Sequence, residues 1–213
     1  GDVNKRQLYD TLKAQGAIFG DTFGWERAKW FAPAGVSEEY GFRRSNWFST
    51  VTAECRAVRE QVGILDLSSF AKYEITGQDA GAVLKRVCAN RVPGRDGAVA
   101  LTQMLTPLGG IECEATVTRL GENYYYLLSS AVAELHDLDW LVQHVAENED
   151  VTVSNMTDDV GVLVLCGPDS RDVLSTLTDA ELTNEEGFTW MSAREITVSG
   201  IPVRALRVSY VGE

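Results

Sequence analysis

The chain has 213 residues, 45% of them apolar, enough to bury a core as one large or two small domains. Thirty-one acidic against 19 basic residues leave a net charge of −12 and no visible basic patch. That balance excludes a nucleic-acid partner or an anionic membrane surface, and the longest apolar run, Val160 to Cys166, is too short to cross a bilayer.

From the N-terminus, Lys5 to Gln15 reads as a short helix stopped by Gly16. Ala17 to Phe48 reads as a Gly- and Pro-punctuated loop carrying Phe19, Trp25, Trp30, Phe31, Tyr40, Phe42 and Trp47. Disordered chains are poor in aromatics, so this segment must pack, either on its own core or on a neighbouring domain. Trp47 to Val62 has the apolar spacing of an amphipathic helix, with Val51, Cys55 and Val58 inward. A strand is expected at Phe70 to Thr76, and Gly77-Gln78-Asp79 opens a helix through Val87. Strands follow at Val99 to Leu105, Ile111 to Leu120 and Asn123 to Ser129. Glu134 to Glu147 reads as a helix with Leu138, Leu141, Val142 and Val145 inward, and Val151 to Asn155 as a short strand. Val160 to Cys166 is apolar on both faces, which predicts a central strand, and the next helix has Pro168 at its first position. A hairpin, Arg194 to Val198 and Val203 to Tyr210, closes the sequence. Ending at Tyr210-Val211-Gly212-Glu213 without a polar tail, it reads as a fragment.

Two G-x-D-x-x-x-V-L segments, from Gly77 and from Gly167, lie 167−77 = 90 residues apart, each after a strand. They read either as two related β-α-β-β units or as two independent good helix starts. The expected class is α+β, mostly antiparallel sheets with helices packed on them.

Within Met104 to Leu120, Pro107-Leu108-Gly109-Gly110 signals a hairpin turn. Beyond it Ile111, Cys113, Ala115 and Val117 alternate with Glu112, Glu114, Thr116 and Thr118, so one face is built for burial. The other is either a solvated outer face or a place for a small ligand, with Glu114 as the candidate acid. Four scattered cysteines without a C-x-x-C pair read as reduced core thiols of an intracellular compartment. His136 and His144 are too far apart for a metal without a third ligand, and no dinucleotide fingerprint, P-loop or nucleophile elbow is present.

The runs MLTPLGGIECEATVTRL, VGVLVLCGPDSRDVL and RVSYVGE, in this order, resemble the folate-binding aminomethyltransferase family, whose best-known member is the glycine-cleavage T-protein. RQLYDTLKAQGAIFG with GWERAKWF is similar to the junction between the flavin oxidoreductase and folate parts of dimethylglycine and sarcosine dehydrogenases. The resemblance implies a T-protein-like fold and two segments: residues 1–48 as the junction with a flavin part, and 49–213 as a C-terminally truncated folate-binding domain. It implies folate-dependent methylene transfer, with an amine-derived iminium captured on tetrahydrofolate. A non-catalytic module of the same fold and a stand-alone T-protein-like transferase are the alternatives.

By the same resemblance Glu114 is the catalytic carboxylate facing folate, and Tyr210, Ser130 and Leu101 border the ligand. Glu114 stands where most of the family has Asp, Leu101 replaces an aromatic and Ser130 an asparagine, so tetrahydrofolate binding by this chain is expected to be weak or absent. FAD belongs to a preceding domain; the cell compartment is the cytoplasm, or the mitochondrial matrix in a eukaryote. Alone, the purified chain is expected to be colourless and without amine dehydrogenase activity. A stoichiometric flavin absorption spectrum from the chain would overturn that expectation.

Overall fold

The computed structural model describes residues 8–22, 24–183 and 188–209. The described residues divide into two compact units, one drawn from residues 8–69 with 161–173 and one from residues 70–160 with 174–209.

In the first unit, helix α1 (Tyr9–Ala14) ends at Gly16, whose φ of +90° only glycine adopts freely. The expected loop from Ala17 to Phe48 is in part an antiparallel hairpin, β1 (Ala17–Thr22) and β2 (Trp25–Phe31). Aromatic and β-branched residues favour a pleated surface, and Trp25 and Trp30 are buried on it. Residues 32–46 form no regular element, and there Tyr40 and Phe42 are exposed. Helix α2 (Phe48–Glu60) packs on β2 and on β3 (Gly63–Asp66), and Phe31 N–H donates to Glu54 Oε1 at 3.0 Å. No α2 residue is fully buried, and Cys55 is exposed: the helix touches its neighbours along a narrow line that Cys55 misses.

Strand β9 (Leu163–Cys166) also corrects the sequence reading. It pairs with β3 alone among the described residues, and Leu163 and Ile64 are 55% and 66% exposed. An apolar run records that a strand can be covered on both faces, not what covers it.

The second unit is built on one antiparallel sheet in the order β5-β6-β7-β4-β8: Val99–Leu105, Ile111–Gly121, Tyr124–Ser129, Ala71–Thr76 and Thr152–Asn155. One face forms the core, where Tyr73, Ile75, Met104, Cys113, Ala115, Val117, Tyr125 and Leu127 meet Leu84 and Leu141 of the covering helices α3 (Ala80–Val87) and α4 (Glu134–Gln143). The alternation of β6 is as the sequence predicts from Cys113 to Val117, while Ile111 is exposed at the strand's start. A 3-10 turn (Ala131–Ala133) leads into α4, which stops before the predicted end. Val142 points outward and Asp137 is the residue buried beside Leu141, because the true apolar stripe passes through Leu138 and Leu141. The last hairpin is β10 (Ser192–Val198) and β11 (Ile201–Arg207).

The repeated glycine motif has repeated geometry. Gly77 (φ +124°) follows β4 and Gly167 (φ +109°) follows β9. Asp79 N–H donates to the Asp150 carbonyl at 3.2 Å, and Asp169 N–H to the Gln61 carbonyl at 2.9 Å. In each case the acceptor lies just before the strand that pairs with the one preceding the glycine, β8 with β4 and β3 with β9. The second helix, α5 (Ser170–Ser175), starts two residues after Pro168, so proline precedes its first turn.

A Cβ at Gly77 would stand 2.0 Å from the Asp150 carbonyl oxygen, whereas one at Gly109 (φ +81°) meets nothing within 4 Å. Gly77→Ala is therefore expected to destabilise the second unit by about 3 kcal/mol or more, and Gly109→Ala by about 1 kcal/mol. Urea unfolding of the two variants measures the difference.

Candidate functional site

The sheet face opposite the core carries the candidate residues, and the register says which are neighbours. Leu101, Thr116, Leu128 and Lys72 are successive partners across β5, β6, β7 and β4. The next row toward the β5–β6 turn begins with Gln103 and Glu114. Ala115 pairs with Ser129, so Ser130, one residue beyond β7, continues the row of Glu114. Leu101, Glu114 and Ser130 are thus gathered at one end of one sheet face, and all three are exposed. Tyr210 lies outside the described residues.

The turn between β5 and β6 is fixed by Thr106, whose N–H donates to the Gly110 carbonyl at 2.8 Å and whose Oγ1 accepts from Gly110 N–H at 3.0 Å. Beyond it, Glu114 Oε2 accepts from Gln103 Nε2 at 3.0 Å. The carboxylate is anchored through one oxygen, and its other oxygen accepts no hydrogen bond among the described residues. Leu108, Ile111, Val132 and Leu135, all more than half exposed, lie in the elements that flank this end of the sheet, together with the polar Glu112 and His136.

The other half of the face is covered, which the sequence did not reveal. Arg204 on β11 lies over the Tyr126 ring at 4.4 Å and donates to Tyr124 Oη at 3.0 Å. It pairs with Glu74 at 3.4 Å and Glu195 at 3.1 Å, and Tyr124 Oη donates to Glu74 Oε1. Burial pushes the Tyr126 phenol up to about 12, so it stays a neutral platform for the guanidinium. Lys72, in the row between the halves, is fully buried. The signal for Arg204 in the sequence was only a basic residue on a predicted strand; apart from Glu195 across the hairpin, its partners Tyr126, Tyr124 and Glu74 are 78 to 130 residues away.

Among the described residues no three His, Cys, Asp or Glu side chains gather to hold a metal ion. No helix among them is long and apolar enough to cross a membrane. Of the predicted core thiols, Cys88, Cys113 and Cys166 are buried. Burial pushes Cys88 up to about 11 and Cys113 higher still, with the Asp137 carboxylate adding to the latter, so both are inert as nucleophiles.

Removing the guanidinium leaves Glu74 and Tyr124 without their cation. Arg204→Ala is expected to cost about 1–3 kcal/mol of stability, read by chemical denaturation, with the Glu114 half of the face unchanged in its amide spectrum.

The sequence profile of the GCVT N-terminal domain matches residues 8–213. Dimethylglycine dehydrogenase, mitochondrial, of Rattus norvegicus is 38% identical over 97% of this chain and 24% of its own length. An aminomethyltransferase of Bacillus pumilus is 35% identical over 78% of this chain and 45% of its own. The crystal structure of the glycine cleavage system aminomethyltransferase T from Bartonella henselae superposes with a TM-score of 0.71 at 22% identity, covering 99% of this chain and 51% of that one. The fold is therefore the T-protein aminomethyltransferase fold, and the chain spans about a quarter of the dehydrogenase it matches. By its motifs, its profile and its relatives, the chain belongs to the GCVT N-terminal domain family of aminomethyltransferase-type proteins.

Proposed function

We propose that this chain is the folate-dependent one-carbon transfer part of a flavin-linked N-methyl amine dehydrogenase of the dimethylglycine or sarcosine type. The observation that carries the reading is the exposed Glu114 carboxylate, anchored by Gln103 and gathered with Leu101 and Ser130 at the open end of the sheet face. A free carboxylate oxygen near exposed apolar side chains suits a flat, weakly polar ring that presents an N–H group. Beside a bound tetrahydrofolate, Glu114 would orient the attacking N–H and accept its proton as the nitrogen bonds to the iminium carbon. Methylene-tetrahydrofolate results when the bond from that carbon to the amine nitrogen breaks, the second folate nitrogen closes on the carbon and the demethylated amine leaves with the proton. The chain's charge of −12 favours approach of a cationic iminium. Tyr210 is proposed as a further folate contact, and residues 1–48 as the junction with a preceding FAD-bearing oxidoreductase domain. The exposed Tyr40 and Phe42 are what such a junction would cover.

A second reading, a non-catalytic module of the same fold, is favoured by two features: Glu114 stands where the family resemblance expects Asp, and Leu101 offers no aromatic ring for stacking where it expects one. One experiment separates the two. In the full-length protein, Glu114→Gln keeps the shape of the side chain and removes its charge and proton acceptor. It is expected to leave flavin reduction by the amine nearly unchanged and to cut methylene-tetrahydrofolate formation about ten- to ten-thousand-fold, free formaldehyde rising instead. Product partitioning with and without tetrahydrofolate is the measurement; a Glu114→Gln enzyme that partitions like the unsubstituted one leaves Glu114 a solvated strand residue.

A further inference from the structure

A histidine that the proposed chemistry does not use lies beside the strand that bears Glu114. His136, in the first turn of α4, has Nε2 at 2.8 Å from Glu112 Oε1 on β6 and Nδ1 at 3.0 Å from Asp137 Oδ1 on its own helix. Asp137 is 2% exposed and is held on the core side, where Cys113 of β6 and Tyr73 of β4 face it. Glu112 belongs to the other face, two residues before Glu114 on the same side of the strand. The imidazole therefore ties the start of β6 to the helix that covers the opposite face of the sheet. The strand needs such a tie: the β5–β6 register shifts between Met104 and Leu105, and both Ile111 and Leu108 are exposed there.

We infer that His136 is a positioning residue for Glu114, a clasp that bridges Glu112 and Asp137 and fixes the first residues of β6 against α4. The inference rests on the reading of Glu114 given above for its functional meaning, but not for its geometry. A bridge between two carboxylates needs both ring nitrogens as donors, and only the imidazolium has them. Neutral imidazole keeps one donor and turns a lone pair toward the other carboxylate. Of the other charged groups on this helix, Glu134 is engaged by Asn155 of β8 at 2.7 Å, and the exposed Asp139 stands one turn on.

Asp137 first and Glu112 second hold the imidazole above its ordinary value. A histidine raised in the folded state contributes its stabilisation fully below its unfolded value near 6.5, and that contribution is lost as the pH rises through the folded value. The clasp is thus closed on the acid side and releases Glu112 on the alkaline side. A freed Glu112 is a second negative charge on the same strand face as Glu114.

The test is a pH titration of the chain by nuclear magnetic resonance, with no folate present. The His136 ring is expected to titrate above free imidazole, and the amides of Glu112, Cys113 and Glu114 to follow its midpoint. Glu112→Gln should lower that midpoint toward the free value and abolish the response of those amides. His136→Gln should abolish the response and raise hydrogen exchange at Glu112 to Glu114 by about tenfold in mildly acidic buffer, where the clasp is closed. His136 is half-exposed and Glu112 partly exposed, and neither belongs to the hydrophobic core. A His136 ring that titrates like free imidazole, or amides of β6 that do not sense it, overturns the clasp. Tetrahydrofolate binding is measured separately by calorimetry on the full-length protein and its Glu114→Gln variant. Amide coupling without a Glu114-dependent folate signal leaves the clasp standing and removes the folate reading; the converse removes the clasp alone.

Discussion

The register of one antiparallel sheet is the constraint on which the second unit depends. With a side-chain period of two, pairing Thr116 with Leu101 and Leu128 sends Cys113, Ala115 and Val117 into the core and Glu112, Glu114 and Thr116 to the opposite face. A slip of one residue would bury two carboxylates and expose a cysteine and two aliphatic side chains, at a cost far beyond the stability of a small domain. The same pairing that builds the core therefore builds the candidate site, where Met104, Cys113 and Ala115 alternate with Gln103 and Glu114 and anchor β5 and β6 in the core.

Backbone, not side chains, sets where this sheet and its smaller counterpart turn into helices. At Gly77 and Gly167 the chain leaves a strand with positive φ and passes so close to a neighbouring carbonyl that no side chain fits. The following aspartate N–H then bonds to the loop before the adjacent strand. Two sites with the same sequence signature and the same hydrogen bond, one in each unit, are what a duplicated strand–turn–helix element would leave. The strands after each helix have different fates: β5 and β6 extend the large sheet, and β10 and β11 form a two-stranded sheet of their own, bridged to the chain before β5 at Ala98 and Ser192.

Charge divides the outer face of the sheet into two halves. On one, Arg204 closes the surface by combining a cation over Tyr126 with pairs to Glu74 and Glu195, so the polar groups there are spent on one another. On the other, Glu114 meets a neutral amide and keeps an oxygen unengaged, near exposed apolar side chains. Two clusters of carboxylates thus differ in what faces them: a buried-stem guanidinium that stays charged at every pH, and an imidazole that does not.

Much of this was written locally and could be read from the sequence. The β6 alternation, the Pro107–Gly110 turn, the glycine-started helices and the motif order that resembles the aminomethyltransferases all rest on periods of two or 3.6 and on glycine's freedom, which need no distant partner. The candidate acid and its face belong to this group, since alternation alone places Glu114 opposite Cys113. The misses share a cause: each turned on tertiary packing that no local period records. The aromatic segment read as loop contains a hairpin because Trp25 and Trp30 found a surface to bury against. The run at Val160 to Cys166 read as central has one pairing neighbour, β3, about a hundred residues earlier. Periodicity assigned Cys55 and Val142 inward, yet which flank of a helix stripe is covered is settled by the width of the contact. Arg204 and His136 carry no periodic signal at all, and their partners Glu74, Tyr124 and Glu112 come from other strands. The sequence determined the elements and the chemical character of each face; tertiary structure decided which polar groups meet, because the energy of such pairs lies in distances that only the folded register creates.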